Sequence, residues 1–258
     1  RSYKFINDVI KPTGEMPQFG DNDSGRLFKF STEKELINYE SLLAGFSGLF
    51  GGEESTYVEQ KIIEKISNNT KIVSKISFKK DKHHIQNENQ QVQKPTITEI
   101  KFSEEVNTDE IKLYSYDEFG IYVFKSSCFY LAISAISNKK MHHSWGHVHN
   151  DKLSFELQVN NIDLVRDPGT YSYSAFPNKR ANFRGGDAHS GIVVKGVEQN
   201  RPIELFYLER ETVCNVLEVE KLSITLRVNY YGVEHVRKFT IMEDQLIITD
   251  YCNKPFKV

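Results

Sequence analysis

The chain has 258 residues, with 33 Lys and Arg set against 35 Asp and Glu for a net charge of −2. No polycationic tract is left for nucleic acid, and no run reaches the roughly 18 apolar residues of a membrane helix. Seventeen Phe and thirteen Tyr can furnish a sizeable core, while three scattered cysteines make neither a disulfide framework nor a CxxC zinc site. Cys214 and Cys252 sit in strand-like runs and are expected as buried free thiols. Arg1-Ser2-Tyr3 does not resemble a signal peptide, so the chain is expected to begin after processing or within a longer protein.

Taken in order, Tyr3 to Ile10 is a short apolar and polar mix stopped by Lys11-Pro12. Met16 to Arg26 is rich in Pro, Gly, Asp and Asn and reads as a loop. Its Asp21-Asn22-Asp23-Ser24-Gly25 run has a faint calcium-loop look, but Thr32 stands where the closing Glu of an EF-hand belongs. Turn capping or a place along a cleft suits those residues better. Ser31 to Glu35 opens a helix with capping residues, and Leu36, Ile37, Tyr39, Leu42, Leu43 and Phe46 keep helical spacing. Ile62, Ile63, Ile66 and Ile72 suggest a second helix, and the polar stretch 79–94, with His83 and His84, reads as linker.

From Ile111 the texture becomes β-rich. Runs at 120–125 and 128–134 make a hairpin pattern, 153–159 alternates, and Asn160-Asn161 turns the chain into 162–165. Further runs lie at 192–195, 204–208, 213–219, 222–230, 233–241 and 245–251. Nine or ten short strands with little helix between them predict a large antiparallel β-sandwich, preceded by a short helical segment. The expected division is helical residues 1–60, a poorly defined linker over 61–110, and the sandwich over 111–258.

The chemistry concentrates between Gly146 and Ser190, where His147, His149, Asp151, Asp167, Asp187 and His189 cluster around glycine-containing turns. An extended Gly146–Leu157 would point His147, His149 and Asp151 to one face. Two His and a carboxylate are a common zinc set. His149, Asp167 and His189 are 18 and 22 residues apart, too wide for a single helix, and can meet only on neighbouring strands and turns. Asp167-Pro168-Gly169 taken alone is equally a simple turn.

These residues carry a resemblance. Gly146-His147-Val148-His149-Asn150-Asp151 with Leu153-Ser154-Phe155-Glu156-Leu157, then Asp167-Pro168-Gly169-Thr170-Tyr171, Phe183-Arg184 and Ala188-His189, resembles the heparinase II/III-like family of polysaccharide lyases. Its pattern is close to GHxHxDxLSFEL, DPGTY, an Arg-rich link ending in FR, AHNT and DGxxQ, the last kept here as Gly196-Val197-Glu198-Gln199. Ser190 departs from it where Asn is usual.

The resemblance implies an incomplete (α/α) toroid followed by the β-sandwich, and β-elimination on a uronic acid-containing, glycosaminoglycan- or alginate-like polysaccharide. It makes His147 catalytic and gives a structural zinc to His149, Asp167 and His189, which leaves Asp151 either behind them or as a turn residue. Arg180, Arg184 and Tyr171 become candidates for binding the acidic polysaccharide, since guanidinium pairs with carboxylate or sulfate in a fork; structural ion pairs suit the arginines equally, and Tyr171 and Tyr173 also suit core or rim positions. A periplasmic or secreted bacterial setting follows from the resemblance alone. The family's tyrosine base and its carboxylate neutraliser come from the toroid, so this chain by itself is expected to bind metal and turn over little. Two other readings stay open: a carbohydrate-binding sandwich whose metal is structural, and a hydrolytic or cupin-like metalloenzyme. Against the hydrolase, Lys152 stands where its HxHxDH pattern places another ligand.

Overall fold

The computed structural model describes residues 2–21, 39, 43, 94–138, 145–172 and 174–258. Among them the chain forms a sandwich of two five-stranded antiparallel sheets. One sheet has the order β1-β13-β12-β11-β10, from Thr96–Lys101, Gln245–Cys252, Val233–Ile241, Ser223–Tyr230 and Val213–Val219. The other runs β2-β3-β4-β5-β6, from Lys112–Tyr116, Ile121–Lys125, Phe129–Ser134, Phe155–Val159 and Ile162–Val165. Two short pairs complete it, β7 (Val193–Val194) with β14 (Phe256–Lys257) and β8 (Pro202–Glu204) with β9 (Tyr207–Leu208).

Alternation explains most of this. In β11, β12 and β13 nearly every second residue is buried, as a sheet with one face on a core requires. Leu226, Phe239 and Ile248 meet Leu131, Ile133 and Phe155 across the sandwich, and Phe155 and Phe239 pack edge to face at 5.4 Å. β4 and β5 are buried on both faces. The outer face of β4 is covered by helix α1 (Ser2–Val9), whose Val9 joins Tyr130 and Ala132 in a second apolar cluster while Tyr130 Oη donates to the Val9 carbonyl at 2.7 Å. The β5–β6 hairpin turns on Asn160 and Asn161, both at positive φ (50° and 64°), the conformation of a two-residue turn that matches strand twist.

Several expectations change. The sandwich starts before residue 111, because β1 (Thr96–Lys101) pairs along its whole length with β13 and so lies outside any linker. Gly146–Leu157 is not extended: Trp145–His147 is a 3₁₀ turn, and β5 begins only at Phe155. His147, His149 and Asp151 therefore do not share a strand face. A helix, α2 (Pro177–Arg184), forms in the polar stretch, started by a proline whose φ is already helical. The helices read over 31–46 and 62–72 and the linker histidines lie outside the described residues, apart from Tyr39 and Leu43.

Candidate active site

The site is assembled where the N-terminal segment crosses the end of the β5 sheet. Glu156, on the outer face of β5, is the anchor. Lys11 Nζ lies 2.7 Å from its carboxylate, and the Gln18 amide donates to it at 2.7 Å. Burial pushes the Glu156 carboxyl up, and Lys11 holds part of that back. This pinning delivers Gly20 and Asp21 to the 146–152 loop. Gly20 N donates to Asp151 Oδ2 at 3.1 Å, and Asp21 N donates to the His147 carbonyl at 2.8 Å. Gly20 sits at φ +71°, and a Cβ there would stand 2.5 Å from the His147 carbonyl oxygen, so only glycine permits the approach.

Asp21 is the hub. Its side chain is fully buried, takes both Arg180 Nη1 (2.9 Å) and Nη2 (2.5 Å) in a fork, and lies 2.9 Å from His149 Nε2. His147 Nδ1 is 3.4 Å away, and that ring is about half exposed at 52%. Burial alone would raise the Asp21 carboxyl, but His149 and Arg180 hold it far below the usual carboxylate range. The arginines come from α2. Arg180 also donates to the Gly146 and Leu205 carbonyls, and Arg184 to those of Val148 and Leu205. Burial, helped by Arg180, pulls the Arg184 guanidinium down to about 10.

A second histidine–carboxylate pair lies beside the first. His189 Nδ1 is 2.7 Å from Asp167 Oδ2, and Asp167 Oδ1 accepts the Gly169 amide, the turn of the Asp-Pro-Gly segment. Burial disfavours the His189 cation, yet the bond and charge of Asp167, with Asp151, raise its pKa. The His149 and His189 rings are 5.4 Å apart. Among the described residues each keeps one buried nitrogen, His149 Nδ1 and His189 Nε2, with no hydrogen-bond partner. Lys152, fully buried, donates to Asp151 and to the His149 carbonyl, and Asp151 is lowered by Lys152 and both histidines against its own burial.

The remaining motif residues clamp this loop. Gln199 accepts from Lys152 N and donates to Lys152 O, while Asn150 donates to Glu198 and to the Asn200 carbonyl. Ser190 Oγ accepts from Phe155 N and donates to Phe155 O, so the hydroxyl ties the loop to the start of β5. From the opposite sheet, Arg237 donates to the Leu153 and Ser190 carbonyls and is itself forked onto Asp250, its cross-strand partner.

The structure therefore gathers His147, His149, Asp167 and His189 into one cluster. Arg180 (0% exposed) and Arg184 (4%) are buried and their donors are taken up by the protein, so here they position the loop and Asp21 instead of presenting a surface to substrate. Tyr171 is 63% exposed, and its ring stacks on Phe183 at 5.0 Å and 25°. Tyr173 lies outside the described residues. Asp21 was missed as a site residue; its signal was the polar Pro17–Arg26 loop, which suits a place along a cleft and resembles a proline-glycine-aspartate segment of the heparinase II/III-like family. Among the described residues no three His, Cys, Asp or Glu side chains stand as a ready-made metal cage. The donor chemistry still suits a cation such as zinc, since two buried imidazole nitrogens lack partners and each ring is oriented by a carboxylate, as second partners of metal-bound histidines commonly are.

Fold and site define a two-sheet β-sandwich that carries a histidine–carboxylate centre held down by an N-terminal strap. The family model for heparinase II/III-like proteins, C-terminal, matches residues 110–255. This chain belongs to that family. A heparinase III gene product shares the fold at a TM-score of 0.55 and 16% identity, over 97% of this chain and 31% of that one. The heparan sulfate lyase HepC from Pedobacter heparinus does so at 0.50 and 14%, over 95% and 31%. The chain thus spans about a third of the length of these proteins. No curated protein matches it.

Proposed function

We propose that this chain is the β-sandwich part of a polysaccharide lyase that cleaves a uronic acid-containing polymer by β-elimination, in a periplasmic or secreted setting. The observation that carries the reading is the half-exposed His147 set against a buried carboxylate, Asp21, which also binds His149 and Arg180. In the elimination the C–H bond next to the uronate carboxylate breaks, its electron pair forms the C=C bond, and the glycosidic C–O bond breaks with its oxygen taking a proton. His147 is positioned to carry one of those protons, a role that contributes about 10²–10⁴-fold. Asp21 orients the His147 ring, its carboxylate standing 3.4 Å from Nδ1. The second proton-transfer group and the group that neutralises the uronate come from outside the described residues.

His149 and His189 would hold zinc through Nδ1 and Nε2, while Asp167, expected as a third ligand, is taken up by His189 Nδ1 and the Gly169 amide. When bound, zinc would fix the two imidazoles and add positive charge near the Asp21–His147 pair, where negative charge would develop. The test uses the lyase with its helical domain in place, compared with its His147→Ala and His149→Ala variants. Unsaturated product is followed by the absorbance of its new double bond, and zinc by elemental analysis. His147→Ala is expected to slow turnover at least about 100-fold with zinc retained, and His149→Ala to lose the zinc. Unchanged turnover in His147→Ala would make this a binding module instead.

A further inference from the structure

The arginines expected to meet an anionic sugar are buried, which leaves the question of what on this face receives it. Helix α2 answers by its geometry. With Arg180 and Arg184 turned inward, Phe183 falls on one flank, half-buried, and Lys179, four residues before it on the same flank, is exposed. Among the described residues no hydrogen bond or ion pair engages Lys179. Tyr171 lies flat over Phe183, one turn of chain beyond Asp167, with 63% of its surface open.

Tyr171 also holds a left-handed backbone at φ +59°, which a bulky side chain rarely adopts. Such conformations persist where the surroundings impose them and tend to mark binding positions. A glycine would fit that backbone with less strain, yet the chain places there a tyrosine whose open face is presented to solvent.

We infer that Tyr171, backed by Phe183, is a stacking platform for a pyranose ring, and that Lys179 pairs with that ring's carboxylate or sulfate. Pyranose C–H bonds carry partial positive charge and lie on the negative face of an aromatic ring, while an exposed ammonium on a flexible stem suits an anion whose position varies along the polymer. The platform is a substrate subsite on the turn that follows Asp167, and it rests on the reading of the protein as a lyase of acidic polysaccharide.

The experiment is calorimetric titration of the protein with a heparan sulfate tetrasaccharide and an alginate tetrasaccharide, with a neutral cello-oligosaccharide for comparison. Wild type is expected to bind at least one acidic probe and to bind the neutral one more weakly. Tyr171→Gly should weaken binding of that acidic probe about tenfold, although the variant unfolds no earlier than wild type because the backbone strain is relieved. Tyr171→Phe should bind as wild type, which separates stacking from a hydroxyl contact. Lys179→Gln should weaken binding about threefold and flatten its salt dependence. Wild-type binding that neither Tyr171→Gly nor Lys179→Gln alters would overturn the platform alone. No binding of either acidic probe by wild type would overturn the lyase reading and the platform with it.

Discussion

Asp21→Asn is the sharpest perturbation of this site. The carboxylate is fully buried and faces a guanidinium that is itself 0% exposed, in a two-bond fork. Removing one partner of a buried ion pair costs about 3–5 kcal/mol, because the other charge is left behind. Arg180 keeps the Gly146 and Leu205 carbonyls at 3.0 and 3.3 Å, so the lower end, about 3 kcal/mol, applies. For a chain of this size that lowers the melting midpoint by roughly 6–12 °C. Denaturation followed by circular dichroism at neutral pH measures it. Adding Arg180→Met should recover part of the loss, since the stranded charge is gone, and the double variant should cost less than the two single changes summed. If Asp21→Asn stays within about 0.5 kcal/mol of wild type, as an ordinary surface change would, the hub assigned to Asp21 is wrong.

Two further outcomes follow from the same geometry. Gly20→Ala must displace the His147 carbonyl 2.5 Å from the new Cβ, so it should destabilise by more than the roughly 1 kcal/mol of a left-handed alanine and lower activity in the lyase assay; a variant as active and stable as wild type would refute the close approach. The third concerns pH. Burial and the Arg237 charge lower the His235 pKa, and Asp250, 2.6 Å away, only partly offsets them. Below its ordinary value of 6.5 the unfolded chain takes up a proton that folded His235 refuses, so stability should fall with pH by up to about 1.4 kcal/mol per unit. His189 is raised, so its contribution is complete below 6.5 and is lost only as pH rises through its folded value. The lowered Asp21 and Asp250 lose theirs further down, as pH falls below the ordinary carboxylate range. Denaturant midpoints between pH 6.5 and 5 should therefore slope in wild type and be flatter in His235→Gln; equal slopes would refute the assignment.

Most of the sandwich was legible because strands with one buried face repeat every two residues, and β11 to β13 do so cleanly. β1 was lost because its burial is slight, an edge strand with no more than partly buried residues. Helix α2 was lost because it has little apolar periodicity: the residues it buries are the arginines. The 146–154 loop misled because its His-x-His-x-Asp alternation looks like a strand, whereas Leu153 at φ +62° and the 3₁₀ turn at Trp145–His147 break any extended path.

The sequence by itself determined the two-sheet architecture and named the cluster of His147, His149, Asp167 and His189, since local periodicity and motif residues lie close along the chain. Only the tertiary structure decided what surrounds them. Asp21 is 128 residues from His149 and 159 from Arg180, and it reaches them only because Lys11 and Gln18 are pinned to Glu156. Burial then settles the parts played by the charges. The same guanidinium that would receive an anion at the surface becomes, inside, the partner of a carboxylate, because an unpaired charge is too costly to leave there.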